Sequence, residues 1–121
     1  MIGKMGKKRY HLTATAFARK GRIIGFGTND YKRSHPLMKY HAVLAGESES
    51  KIYRHAELAA LLDAGQNEVH SVFVQRLDAA GNEANAKPCK TCQSILKSFG
   101  VKVANYTTET GPQALYFDGD N

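Results

Sequence analysis

A chain of 121 residues, 42% hydrophobic and 23% charged, has room for one compact domain and one core, and its composition excludes disorder. A net charge of +6 with a pI near 9.4 suits an anionic partner such as a nucleotide or a nucleic acid, and equally a plain solvated basic surface. No apolar run is long enough to cross a bilayer or to act as a signal peptide near Met1, so the expectation is a cytoplasmic protein with no membrane partner.

Residues 1–9 are rich in Gly and Lys and read as a basic flexible arm, leaving 10–121 as the domain. From Tyr10 to Arg19, Leu12, Ala14, Ala16 and Ala18 alternate with Thr13, Thr15 and Phe17, the pattern of a strand with one face on the core. Lys20-Gly21 is a tight-turn signal, and Arg22 to Gly27 reads as the returning strand of a hairpin. The stretch Thr28 to Ser50 is the hardest to read, with a short helix expected through Leu37 to Leu44. A second helix is expected from about Lys51 to Ala64, stopped by Gly65. Val69 to Leu77 contains the unbroken apolar run Val72-Phe73-Val74, the mark of a central strand covered by helices on both faces. Asp78 to Lys87 reads as a loop. A third helix follows Pro88, with Cys89, Cys92, Ile95, Leu96 and Phe99 on one side and Gly100 at its end. Val101 to Thr107 and Ala114 to Phe117 are strands joined by a link too short for a crossover helix, so they should pair antiparallel. The expected fold is a single three-layer α/β/α domain around a mixed five-stranded sheet.

The chemistry-bearing residues cluster in two short segments. The only two cysteines, Cys89 and Cys92, sit three positions apart at a helix start. That spacing serves a shared metal, a redox dithiol or two core residues, and a secreted disulfide scaffold would need more cysteines. On one face of the first helical turn the thiols face the positive end of the helix dipole, which favours thiolate. His55-Ala56-Glu57 lies near the start of the preceding helix. Both helices run antiparallel to the strand between them, so their N-termini are neighbours and His55, Cys89 and Cys92 converge. Three ligands leave a fourth position open for a water that zinc acidifies, the pattern of catalytic rather than structural sites. Glu57, two residues past the histidine, can reach that water as a proton carrier without ligating the metal. His11, His35, His41 and His70 have no ligand-like spacing to this set.

His55-Ala56-Glu57 followed by Pro88-Cys89-Lys90-Thr91-Cys92 resembles the H-x-E…P-C-x-x-C signature of the cytidine deaminase-like superfamily of zinc enzymes. The resemblance spans roughly Tyr10 to Phe117. It implies His55, Cys89 and Cys92 as zinc ligands, Glu57 as the proton shuttle, and hydrolytic attack on cytosine or a purine with loss of ammonia. Gly25-Phe26-Gly27-Thr28-Asn29 is similar to a G-x-G-x-N segment of the deoxycytidylate and tRNA adenosine deaminase branches. That likeness implies Asn29, with Ala56 beside it, as substrate-binding; a turn asparagine ending a strand is the competing reading. His55 in place of a first cysteine, Ala59, Ala86-Lys87 before Pro88 and a short final hairpin all depart from the better-known branches, so the chain resembles a small, phage-type member.

Three functions follow as expectations. The first is deamination of cytosine in a nucleotide or nucleoside, deoxycytidylate before others. The second is deamination of cytosine or adenine in single-stranded DNA or RNA, for which Tyr31, Tyr40 and Tyr53 interleaved with Lys32, Arg33, Lys39 and Arg54 offer stacking among cations. The third is a nucleic-acid-binding module with a structural zinc, which the glutamate beside an open metal position disfavours. The resemblance also implies a homo-oligomer.

Overall fold

The structure, a computed structural model, describes residues 11–47 and 53–117. The expected basic arm over 1–9, and Lys51 and Ile52 of the expected second helix, lie outside them. In chain order the described elements are β1 (His11–Phe17), β2 (Ile23–Thr28), β3 (Asp30–Ser34), α1 (Pro36–Ala45), β4 (Tyr53–Arg54), α2 (Ala56–Ala64), β5 (Ser71–Leu77), β6 (Glu83–Ala84), α3 (Lys90–Ser98), β7 (Val103–Tyr106) and β8 (Gln113–Tyr116). The expected mixed α/β domain is the one observed.

The main sheet runs β2-β1-β5-β7-β8, with β6 pairing on β5. The β1–β2 hairpin turns through Gly21 at φ 90°, where the Ala18 N–H donates to the Arg22 carbonyl and the Gly21 N–H to the Ala18 carbonyl. β1 lies antiparallel to β5 along its whole length. β5 and β7 are the parallel pair, bridged by α3, and β7 and β8 close the sheet as the expected antiparallel hairpin.

Period-two alternation decides which face carries the helices. Ala14, Ala16, Val72, Val74 and Ala104 are wholly buried, and the register places them on one face together with Gly25 and Gly27. Against that face α2 rests on β2 and β1; α3 lies beside α2, and α1 packs on α3. Thr13, Thr15, Phe73 and Val103 point the other way and are half-buried, while Ile23 and Phe26 are exposed. The run Val72-Phe73-Val74 therefore has its valines under helices, and a helical layer over the Phe73 side is not among the described residues.

Local pairing changes three expected boundaries. The second helix begins at Ala56 rather than near Lys51, because Tyr53 and Arg54 pair with β3 and His55 stays extended at φ −80°, ψ 158°. The stretch expected as a loop after β5 folds back: the Asp78 carboxylate accepts the Ala80 and Asn82 N–H groups, and Glu83 and Ala84 return along Leu77 and Arg76. The hard-to-read stretch supplies the expected short helix, one residue longer at each end, and also β3.

Candidate metal centre and active site

α2 precedes β5 and α3 follows it, and both run antiparallel to it, so the two helix N-termini meet beyond the carboxyl end of β5. His55 is the N-cap of α2 and Cys89 the N-cap of α3. Cys92 follows one turn later, wholly buried. The segment that delivers Cys89 is held by Thr107, whose hydroxyl donates to the Ala84 carbonyl and accepts the Arg76 N–H; the Ala86 N–H in turn donates to the Thr107 carbonyl.

The ligand atoms of His55, Cys89 and Cys92 lie within 4.8 Å of one another, the one such His/Cys/Asp/Glu group among the described residues. His55 Nδ1 is 3.3 Å from Cys92 Sγ and 3.8 Å from Cys89 Sγ. Zinc–sulfur and zinc–nitrogen bonds of about 2.3 and 2.0–2.1 Å at a tetrahedral angle would put such donors about 3.6 Å apart. The three residues thus fit zinc by donor type and by spacing. His35 accepts the Leu37 N–H at the start of α1, and His41 bonds Ser94.

The electrostatics of the group follow from burial and from the hydrogen bonds among its members. The Cys92 thiol donates to Cys89, and with the His55 ring it holds Cys89 down at about 4 in spite of burial. Cys92 keeps the shared proton and, fully buried, is pushed well above the usual thiol value. Glu57, at the second position of α2, is 3% exposed. Burial pushes its carboxyl up, against the opposing pull of its own backbone N–H and of His55. Its Oε1 is buried with no hydrogen-bond partner, an orphan acceptor of the kind that marks a group reserved for a ligand or a proton.

Asn29 is brought to the same place, in a role that sequence reasoning did not foresee. Its Oδ1 accepts the Ala56 N–H at 2.7 Å, and its Nδ2 donates to the Tyr31 hydroxyl at 3.0 Å. It therefore secures the start of α2, where the N-cap His55 makes no side-chain capping bond. Ala56 has its N–H committed to Asn29 and its methyl wholly buried. Glu47 was missed altogether. Its Oε1 accepts both the Thr91 N–H at 3.0 Å and the Thr91 hydroxyl at 2.5 Å, between the two cysteines. No sequence motif marks Glu47, which follows the Gly46 stop of a helix in the stretch that was hardest to read.

Asn29 also lines a groove of about 520 Å³ between β2 and α2, with Thr28, Asp30, Arg54, Ala59 and Asp63. Arg54, the residue before His55, faces Asp30 at 3.4 Å, and Arg33 meets the same carboxylate at 3.4 Å. Tyr31 and Tyr40 are each 59% exposed; the side chain of Tyr53 lies outside the described residues.

No protein-family model matches this sequence, and no curated protein matches it. Among solved structures the chain is similar to cytidine deaminase from Mycobacterium leprae, with a TM-score of 0.48 and 19% identity over 88% of this chain and 75% of that one. It is similar also to cytidine deaminase from Mycobacterium tuberculosis, with a TM-score of 0.48 and 21% identity over 87% of this chain and 72% of that one. No helix among the described residues is long and apolar enough to cross a membrane.

Proposed function

We propose that the protein is a zinc-dependent hydrolytic deaminase of the cytidine deaminase-like superfamily, converting cytosine to uracil in a nucleotide or nucleoside and releasing ammonia. The observation that carries this reading is the group itself: three donors at zinc-ligand spacing with a buried carboxyl, Glu57, whose Oε1 has no partner. Bound by His55, Cys89 and Cys92, zinc would acidify a water and so supply a nucleophile at neutral pH.

The chain's own part is proton traffic and positioning. Glu57 takes the proton of the attacking water, passes it to the ring nitrogen next to the attacked carbon, and carries a second proton to the departing amine. Water and cytosine thereby become uracil and ammonia with no other reactant. A carboxyl whose affinity for protons is raised by burial is suited to both halves of that exchange. Asn29 is proposed to meet the substrate with its amide edge, which now faces Tyr31, while its carbonyl keeps Ala56 and the start of α2 in register. Ala56, its methyl in the core and its N–H held by Asn29, is proposed to serve the substrate site through its backbone. The resemblance carries the further proposal of a homo-oligomer, and a cytoplasmic location is proposed from the composition.

A free nucleotide, deoxycytidylate-like, is favoured over a polymer by the groove at Asn29. Asp30 and Asp63 line it, and Arg33 and Arg54 are both turned to Asp30. With Asp30 paired to both arginines and Asp63 beside them, the groove has no excess of positive charge to take the run of phosphates that a single strand lays along a groove, which one small substrate does not need. The test measures uracil and ammonia from deoxycytidylate, cytidine and cytosine beside single-stranded DNA and RNA, at two salt concentrations, on protein analysed for metal. About one zinc per chain is expected, lost with activity in Cys92→Ala, and free-nucleotide turnover should depend weakly on salt. Steeply salt-sensitive activity confined to polymers would move the reading to a nucleic-acid deaminase. Protein that neither holds nor takes up zinc would overturn the reading.

A further inference from the structure

Both helices that carry the proposed ligands begin on a residue whose side chain does not cap them. A helix start leaves N–H groups without intrahelical partners, and the N-cap side chain ordinarily accepts one of them. Here the N-caps are His55 and Cys89, and neither makes a side-chain capping bond. Asn29 reaches in from another element to serve α2. For α3 the acceptor is Glu47, which takes the N–H and the hydroxyl of Thr91 on one carboxylate oxygen.

The position of Glu47 is fixed by the fold. Gly46 ends α1 at φ 73°, and the Glu47 N–H closes that end on the Ala42 carbonyl at 2.9 Å. α1 is fastened to α3 by the 2.7 Å bond between His41 Nδ1 and Ser94 Oγ. Thr91, wholly buried, lies between Cys89 and Cys92, so whatever fixes its N–H and hydroxyl fixes the turn that sets the two sulfurs apart. From this geometry we infer that Glu47 is a positioning residue for the metal, holding the Cys89–Cys92 turn in ligating shape from outside the helix. The inference rests on the zinc reading above. Partners one layer beyond the ligands orient them, and their loss typically weakens metal affinity about 10- to 100-fold.

The test is zinc affinity, measured on purified protein by competition with a chromophoric chelator, together with the absorption spectrum of the cobalt-substituted protein. Glu47→Ala should bind zinc about 10- to 100-fold more weakly, with altered thiolate-to-cobalt bands. Glu47→Gln keeps an acceptor oxygen at the same reach, and should restore both affinity and spectrum to near wild type. Thr91→Val, which removes only the hydroxyl contact, should fall between. Wild-type affinity and spectrum in Glu47→Ala would overturn the inference while leaving the zinc reading intact. So would a Glu47→Gln protein as weak as Glu47→Ala, because charge rather than position would then be the cause. If Glu47→Ala does not fold, the other two variants decide: wild-type affinity in Thr91→Val overturns the inference, and weakened Thr91→Val beside intact Glu47→Gln supports it. A wild-type protein that binds no zinc defeats the parent reading instead.

Discussion

Gly27→Ala tests the architecture that brings His55 to the proposed metal site, at a residue outside the proposed ligand set. A Cβ at position 27 would lie 2.5 Å from both the Ala59 Cβ and the Ala60 backbone nitrogen, and 2.7 Å from the Ala59 carbonyl carbon. Gly25 is as tight, its Cβ position 2.4 Å from the Ala60 carbonyl oxygen. Ordinary contact begins near 3.4 Å, so the overlap at Gly27 is close to an ångström. Two of its three neighbours are helix backbone, which no rotamer change can move. α2 must therefore lift from the sheet, taking His55 and Glu57 away from Cys89 and Cys92 on α3. Overpacking of this kind costs about 1–3 kcal/mol, and rigid backbone on the far side puts Gly27→Ala at the upper end. At roughly 4–8 °C per kcal/mol for a domain of about this size, the melting temperature should fall by about 10 °C or more. Zinc affinity should drop too, and a misplacement near 1 Å is worth about 100-fold in turnover. The assay is thermal unfolding of metal-free and zinc-loaded protein with chelator competition, set against Thr28→Ala at an exposed position of the same strand. A Gly27→Ala protein melting within about 2 °C of wild type with undiminished zinc affinity would refute the close-approach argument.

Two further outcomes separate chemistry from folding. Glu57→Gln should keep zinc, by elemental analysis, while turnover falls by about 10²- to 10⁴-fold; near-normal deamination would identify another group as the proton carrier. His41, buried between α1 and α3, has its pKa lowered from 6.5 by desolvation. The native state therefore resists a proton that the unfolded chain accepts, so stability is full above 6.5 and is lost as pH falls from there toward the depressed native value. Melting curves of metal-free protein should show this loss below 6.5, and the difference should vanish in His41→Gln, a comparison that cancels the opposite pH dependence of the buried Glu57 carboxyl.

How much was legible in the sequence follows from the range over which each signal acts. The hairpins at either end of the sheet and the valines of β5 announce themselves through period-two alternation, turn residues and short links, all within a few positions. The candidate site is legible for the same reason: Cys89 and Cys92 share a helical turn by spacing alone, and His55-Ala56-Glu57 sets the proposed ligand and the proposed proton carrier two residues apart. Only the tertiary structure decides what completes the site. The start of α2 falls at Ala56 because Tyr53 and Arg54 pair with β3, a preference for partner over helix that the helical spacing of the segment does not contain. The two glycines of Gly25-Phe26-Gly27 are there for space under Ala59 and Ala60, which neither turn propensity nor alternation reveals. Asn29 reaches Ala56 across 27 residues, and Glu47 reaches Thr91 across 44. Local spacing determines which side chains of one element face together. Which acceptor meets a helix end that its own N-cap side chain leaves open depends on how elements distant in sequence pack, and no pattern within either segment encodes that.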